Sequence, residues 1–160
     1  DTGGFRYSNT SPSVMAAASK LLSAGVDAYQ LADRLLERMT MPQLKILQRG
    51  LARLRFTEDG RVGWLYIEPG DLAETGASGE DLEGLVNYAR NIDGVEVGML
   101  FKGLEDGSVK VSFRSAGKAD VASIAQRFGG GGHIRAAGCR LDMPLDEAMR
   151  LVVDTVVRSL

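Results

Sequence analysis

The run Gly129-Gly130-Gly131-Gly132-His133 is the sharpest piece of local chemistry in the sequence. Glycines lack Cβ, so their backbone amides can approach a ligand closely and take up left-handed conformations. Successive N–H groups then predict an anion-binding concavity. A turn of helix over Ile134 to Ala137 would add the positive end of a peptide dipole. His133, the single histidine, ends the loop and can donate a hydrogen bond to a phosphate. The same run reads equally as a flexible surface loop with a solvated histidine. A second element lies close by. Lys110, Ser112 and Arg114 alternate with Val109, Val111 and Phe113. A strand places one hydroxyl and two cations on one face, and arginine matches phosphate oxygens in bidentate fashion. Alone, that face also fits an ordinary solvated sheet. Where strand and loop meet, an anion site is the stronger reading.

Other reactive side chains are sparse. Asp1-Thr2-Gly3-Gly4-Phe5 with Asn9-Thr10 is a loop holding a carboxylate, and a metal site needs several ligands. No further cluster of His, Asp and Glu has ligand spacing. The glycine run lacks the Lys-Ser or Lys-Thr that would follow in a P-loop. Cys139, beside Gly138, reads as a packed small residue; a Cys139–His133 pair is the chemical alternative.

The elements that must position these residues follow from periodicity. Ser11-Pro12 predicts a helix start, with Val14, Ala17, Ala18, Leu21 and Leu22 at helical spacing and Gly25 as its end. Asp27 caps a second helix with Leu31, Leu35 and Leu36 inward. A third runs from Thr40 to about Arg53, with Leu44, Leu47, Leu51 and Leu54 on one stripe. The pattern then changes. Gly63 to Ile67 reads as a buried strand. Ser78-Gly79-Glu80-Asp81 resembles a capping box opening a helix with Leu82, Leu85, Val86 and Ala89 inward. Val95 to Phe101 alternates as a strand, Asp106-Gly107 marks a hairpin, and Val109 to Phe113 returns. Asp120 caps a short helix through Phe128, Gly138 to Leu141 is another strand, and Pro144 starts a last helix. The fold class is therefore α+β: a mixed sheet with flanking helices, preceded by linker helices. The expected divisions are 1–25, a helical linker 26–56, and the α+β domain 57–160.

Composition narrows the function. Net charge is −2 over 160 residues, which argues against a protein that coats DNA generically. Residues 58–107 carry three basic and twelve acidic side chains, whereas residues 108–141 carry six basic and one acidic. A basic stretch inside an acidic chain fits a focused anion site. One cysteine, no long apolar run and no basic-then-apolar start predict a reducing, cytoplasmic setting without a membrane span. The chain begins at Asp1 rather than Met, which predicts a piece of a longer protein.

Taken together, the segments resemble one family. Val109 to Ser115, Asp120-Val121, Ile124-Ala125, Phe128 to His133 and Ala136-Ala137-Gly138 resemble the DHH-associated domain. Asp81 to Asn87 resembles that domain in the oligoribonuclease (nano-RNase)/pAp phosphatase branch. Asp1-Thr2-Gly3-x-Phe5 with Asn9-Thr10 is similar to the last motif of the catalytic DHH domain, so residues 1–25 would be the end of that domain. The resemblance covers essentially the whole chain. It implies a manganese-dependent phosphoesterase whose two metals activate water against a phosphodiester or phosphomonoester. It implies Asp1 as one metal ligand, and Arg114, His133, Ser112, Gly130, Gly131 and Gly132 as contacts to substrate phosphate or base; Arg135 is a weaker candidate. Partners would be short RNA or DNA oligonucleotides or nucleotide phosphates, and a homodimer is open. The family's Asp-His-His motif is not in these residues, so the chain alone is expected to be inactive, with no catalytic residue of its own. Two alternatives remain. One is an RNA-binding module like the C-terminal domain of alanyl-tRNA synthetase; the other is part of a cyclic dinucleotide phosphodiesterase.

Overall fold

The computed structural model describes residues 2–160 and divides into two compact units, one ending at Thr40 and the other spanning Met41–Leu160.

In the first unit, α1 (Pro12–Ser23) begins where Ser11 Oγ accepts the Val14 amide at 3.3 Å. Gly25, at φ +92°, follows its end. Asp27 then accepts the Gln30 amide at 2.9 Å and opens α2 (Ala28–Ala32), which runs into a wider π turn over Asp33–Glu37. Here one expectation is corrected. Leu31, Leu35 and Leu36 are not inward but 48%, 74% and 48% exposed. Periodicity reports which side of a helix is apolar; it does not supply the layer that covers it.

The second unit is α+β, as expected. Its six-stranded sheet has the order β1-β2-β3-β4-β6-β5. The strands are β1 (Arg55–Phe56), β2 (Val62–Ile67), β3 (Val97–Gly103), β4 (Val109–Ser115), β5 (Gly131–His133) and β6 (Ala136–Leu141). Only β2 and β3 pair in parallel; every other pairing is antiparallel. The parallel pair requires a crossover, and the chain makes it through α4 (Asp71–Thr75), a turn at Glu80–Leu82 and α5 (Leu85–Arg90). The capping-box helix expected from Ser78 is therefore interrupted. Asp81 does accept the Ser78 amide at 2.6 Å, but Gly84 sits at φ +83° and restarts the helix. Leu82, Leu85, Val86 and Ala89 are buried nonetheless.

Each sheet face has its own core. On one, Val97, Met99, Phe101, Val111 and Phe113 pack with α6 (Val121–Gln126) and α7 (Leu145–Val157). On the other, Leu65, Ile67 and Leu100 pack under α5 and under Ile46 of α3 (Met41–Ala52). β3 lies between both layers, so Val97 to Phe101 is buried throughout rather than alternating. The helix expected in the linker thus belongs to the compact unit of the sheet. Its leucine stripe holds in part: Leu47 and Leu54 pack against the core, whereas Leu44 and Leu51 are 49% and 39% exposed, and Ile46 and Gly50 make the fully buried contact. Two arginines pin this helix to the crossover. Buried Asp71 pairs with Arg49 at 2.7 Å and with Arg53. Burial by itself pushes the Asp71 carboxyl up; the two guanidiniums and the Glu68 amide outweigh it and hold the group below the usual carboxylate range.

Candidate functional site

Antiparallel pairing brings cross-strand partners to the same face of a sheet. Register therefore assembles the site. Gly98, Arg114, Ala136 and His133 form one row across β3, β4, β6 and β5. Leu100, Ser112, Gly138 and Gly131 form the next row, and Lys102, Lys110 and Arg140 the third. This face is covered over β2 and β3 by α3 and α5, and α5 reaches the near side of β4. The uncovered part is the floor of a groove of about 690 Å³, walled by residues of the 78–86 crossover. Lys102, Lys110, Ser112 and Arg114 line it, with Glu80 and Glu83 on the wall.

Small residues keep this floor open. Ala136 and Gly138 separate Arg114 and Ser112 from the edge strand. Arg114 and His133 stand two strand spacings apart, roughly 10 Å between backbones. The Arg114 guanidinium donates to its own neighbour's carbonyl, Phe113 O, at 2.9 Å. Among the described residues neither it nor Lys102 nor Lys110 enters an ion pair. Three cations facing a groove without ion-pair partners among the described residues can receive an anion.

The loop after β4 is anchored by a buried carboxylate. Glu96 accepts the Lys118 amide at 2.6 Å, the Ala119 amide at 2.8 Å and the Ser115 hydroxyl at 3.2 Å. Burial pushes the Glu96 carboxyl up, and these donors outweigh that effect and hold it low. The β5–β6 turn is fastened on both sides: Ser115 donates to Arg135 O at 3.0 Å and Val121 to Ile134 O at 2.9 Å. The end of His133's strand is thereby fixed relative to Arg114.

The glycine run is shaped differently from the expectation. Ile134 to Ala137 forms no helical turn; it is the tight connection of the β5–β6 hairpin. The Gly129 and Gly130 amides do not line a concavity either, because they donate to Gln126 O and Ala125 O at the end of α6. Three glycines have three different tasks. A Cβ on Gly130 would collide with the Gly138 carbonyl. Gly132, at φ +143°, would bring a Cβ within 2.6 Å of Ala136 O. Gly131 lies on the same sheet face two strands from Ser112, with nothing within 4 Å of a Cβ position. Local hydrogen-bonding to a helix end and strand pairing won over the nest geometry. Arg135 lies against the loop at Gly117, about 3.5 Å from its Cβ position, and not on the groove floor.

Cys139 and His133 belong to opposite faces, since the cysteine is in the core with Val111. Burial pushes its thiol up to about 11. The Cys–His alternative is thereby corrected. Folded chain at pH 8 should alkylate at Cys139 roughly 100-fold more slowly than urea-unfolded chain, as thiolate fraction sets the rate. Equal rates with iodoacetamide would contradict this burial.

Lys102 and the crossover wall were not found from sequence. The register of the Asp106-Gly107 hairpin carries the signal for Lys102, because it sets Lys102 opposite Lys110. Asp1 lies outside the described residues. Among the described residues no group of three or more His, Cys, Asp or Glu stands close enough to hold a metal ion. No helix among them is long and apolar enough to cross a membrane.

Comparison with known proteins identifies relatives in sequence and fold. The DHHA1 domain model matches residues 61–158. The bifunctional oligoribonuclease and PAP phosphatase NrnA of Thermus thermophilus is 35% identical over the whole chain, which covers 48% of that protein. Its Bacillus subtilis namesake is 27% identical over 96% of the chain and 48% of its own length. An exopolyphosphatase-related protein from Bacteroides fragilis superposes with a TM-score of 0.88 over 98% of the chain and 46% of its own, at 23% identity. The chain spans about half the length of the curated relatives it matches.

Proposed function

The chain belongs to the DHHA1 domain family, and from that premise we propose that it is the substrate-gripping part of a phosphoesterase of the oligoribonuclease/PAP phosphatase type. The observation that carries the reading is the groove floor, where Arg114, Lys110 and Lys102 are presented without ion-pair partners among the described residues. Arg114 holds a phosphate by two parallel hydrogen bonds, Ser112 adds a hydroxyl, and His133 closes on the phosphate or base from the edge strand. Gly131 leaves room for the ligand, while Gly130 and Gly132 shape the hairpin that carries His133. Glu80 and Glu83 on the wall can accept from sugar hydroxyls or base amino groups. The supporting likeness is to NrnA proteins, which are named for oligoribonuclease and PAP phosphatase activities.

Manganese belongs to the parent enzyme in this reading. The described residues form no metal-holding group, so no step of the hydrolysis is assigned to them. Their work is to bind and orient the ester against chemistry supplied elsewhere in a longer parent, in a cytoplasmic setting.

The test is a calorimetric titration of the 160-residue chain with 3′-phosphoadenosine 5′-phosphate and with a 5′-phosphorylated dinucleotide. The expected result is binding that weakens steadily with salt, and no phosphate release when manganese is added. Absence of binding would remove the groove as the site. Hydrolysis by this chain would overturn the assignment of catalysis to other residues.

A further inference from the structure

The opposite face of the same sheet carries a second groove, of about 640 Å³, unrelated to the cationic floor. Its base is Trp64 and Tyr66 of β2 with Arg55 of β1, and one side is Met149 and Val153 of α7. On this face α6 packs over β4, β5 and β6, and α7 over β2 and β3. The helical layer stops at α7. Arg55 pairs in register with Trp64, so β1 extends the sheet beyond it and Trp64 and Tyr66 lie at its margin. That ledge is the short strand β1 together with the half-buried rings of Trp64 and Tyr66 at the edge of α7.

The rim of α7 states which helix fits. Asp146, Arg150, Asp154 and the C-cap Arg158 recur every fourth residue with alternating sign. All four are exposed. None enters an ion pair among the described residues, although each has an opposite charge four positions away. Arg150 Nε donates instead to the backbone at Asp146 O, at 3.3 Å. Laid antiparallel on a second α7 and centred near Val152, this pattern sets Arg150 against Asp154 and Asp146 against Arg158, twice each. A parallel copy would oppose like charges. Leu151 and Val157, 42% and 43% exposed, add apolar surface beside the stripe.

We propose that α7 and the Trp64–Tyr66 ledge form a twofold interface with a second copy of this chain. The copy's α7 lies antiparallel on α7 and completes the helical layer over β1 and β2. A twofold contact is self-complementary, which an alternating stripe of this kind satisfies. The interface lies across the sheet from the cationic groove, so both remain accessible together, and its failure would leave the phosphate-binding reading untouched.

Sedimentation equilibrium of the 160-residue chain over a concentration series tests it. The wild type should show a monomer–dimer equilibrium, with emission from Trp64, the one tryptophan, shifting to the blue as dimer forms. Arg150→Asp and Asp154→Arg, each alone, should weaken dimerisation about tenfold or more, because each sets like charges against one another twice. Their equimolar mixture should recover dimer as a heterodimer, since every reversed pair is again opposite in sign. Circular dichroism of the three chains should coincide. A wild type that stays monomeric, single reversals without effect, or a mixture that does not recover would each overturn the proposal. So would quenching of Trp64 by adenosine monophosphate in the monomer, which would make the ledge a base-stacking site.

Discussion

Replacing Arg114 by alanine weakens nucleotide-phosphate binding by roughly 1.5–3 kcal/mol, about ten- to 150-fold in Kd. The guanidinium is half-buried on the groove floor and, among the described residues, hydrogen-bonds only to Phe113 O. It therefore loses little on turning to a ligand, and no carboxylate competes for it. Arg114→Lys should fall between, since lysine keeps the charge and loses the planar fork. Both variants should melt close to wild type, because nothing in the core rests on this side chain. Calorimetry at fixed ionic strength reads the outcome. An unchanged Kd would take Arg114 out of the site, and with it the row that ends in His133.

Glu96→Ala should destabilise the chain by roughly 3 kcal/mol in urea unfolding. Its carboxylate accepts the Lys118 and Ala119 amides and the Ser115 hydroxyl in a buried setting. Alanine leaves those donors without their acceptor, and a buried unsatisfied donor costs more than the bond itself contributes. Glu96→Gln keeps one acceptor oxygen and should cost less. The acid dependence follows in sign. The folded-state value of Glu96 is held below its ordinary one, so its stabilisation is complete above the ordinary carboxylate range. It is lost as pH falls through the lower folded value. The gap between wild type and Glu96→Gln should therefore shrink in acid. A gap independent of pH would mean that the charge of Glu96 contributes nothing. Because this loop leads directly from Arg114, the alanine variant should also loosen the groove.

Much of this architecture is written locally. Ser11, Asp27 and Asp120 each cap a helix where their side chains predicted, because a cap is a contact over two or three residues. The alternation of Lys110, Ser112 and Arg114 with apolar neighbours gave their common face directly. What local pattern cannot carry is pairing across distance. Ile134 to Ala137 looked helical in isolation, yet pairing of His133 with Ala136 turns the segment into a hairpin. The leucines of α3 form a stripe, but Gly50 and Ile46 decide its buried side through contact with β2. Lys102 stood alone in an acidic stretch and became part of the floor through a strand register. The contributions of Gly130 and Gly132 were visible as glycine and invisible as geometry.

The two sides of the cationic groove differ in how freely they can vary. The floor is locked: every residue on it is placed by a register shared among four strands, and a one-residue slip would send Arg114, Ser112 and Lys110 into the core. The wall is the crossover between the parallel strands β2 and β3, a series of short turns anchored in the core by Leu82 and Val86. Connections of this kind accept insertions and deletions that a sheet does not. Lengthening or trimming the exposed residues 78–80 can therefore deepen or shallow the groove while the cationic floor stays put. One anchor with an adjustable reach is a means by which a single scaffold could be retuned for ligands of different length, by natural drift or by design.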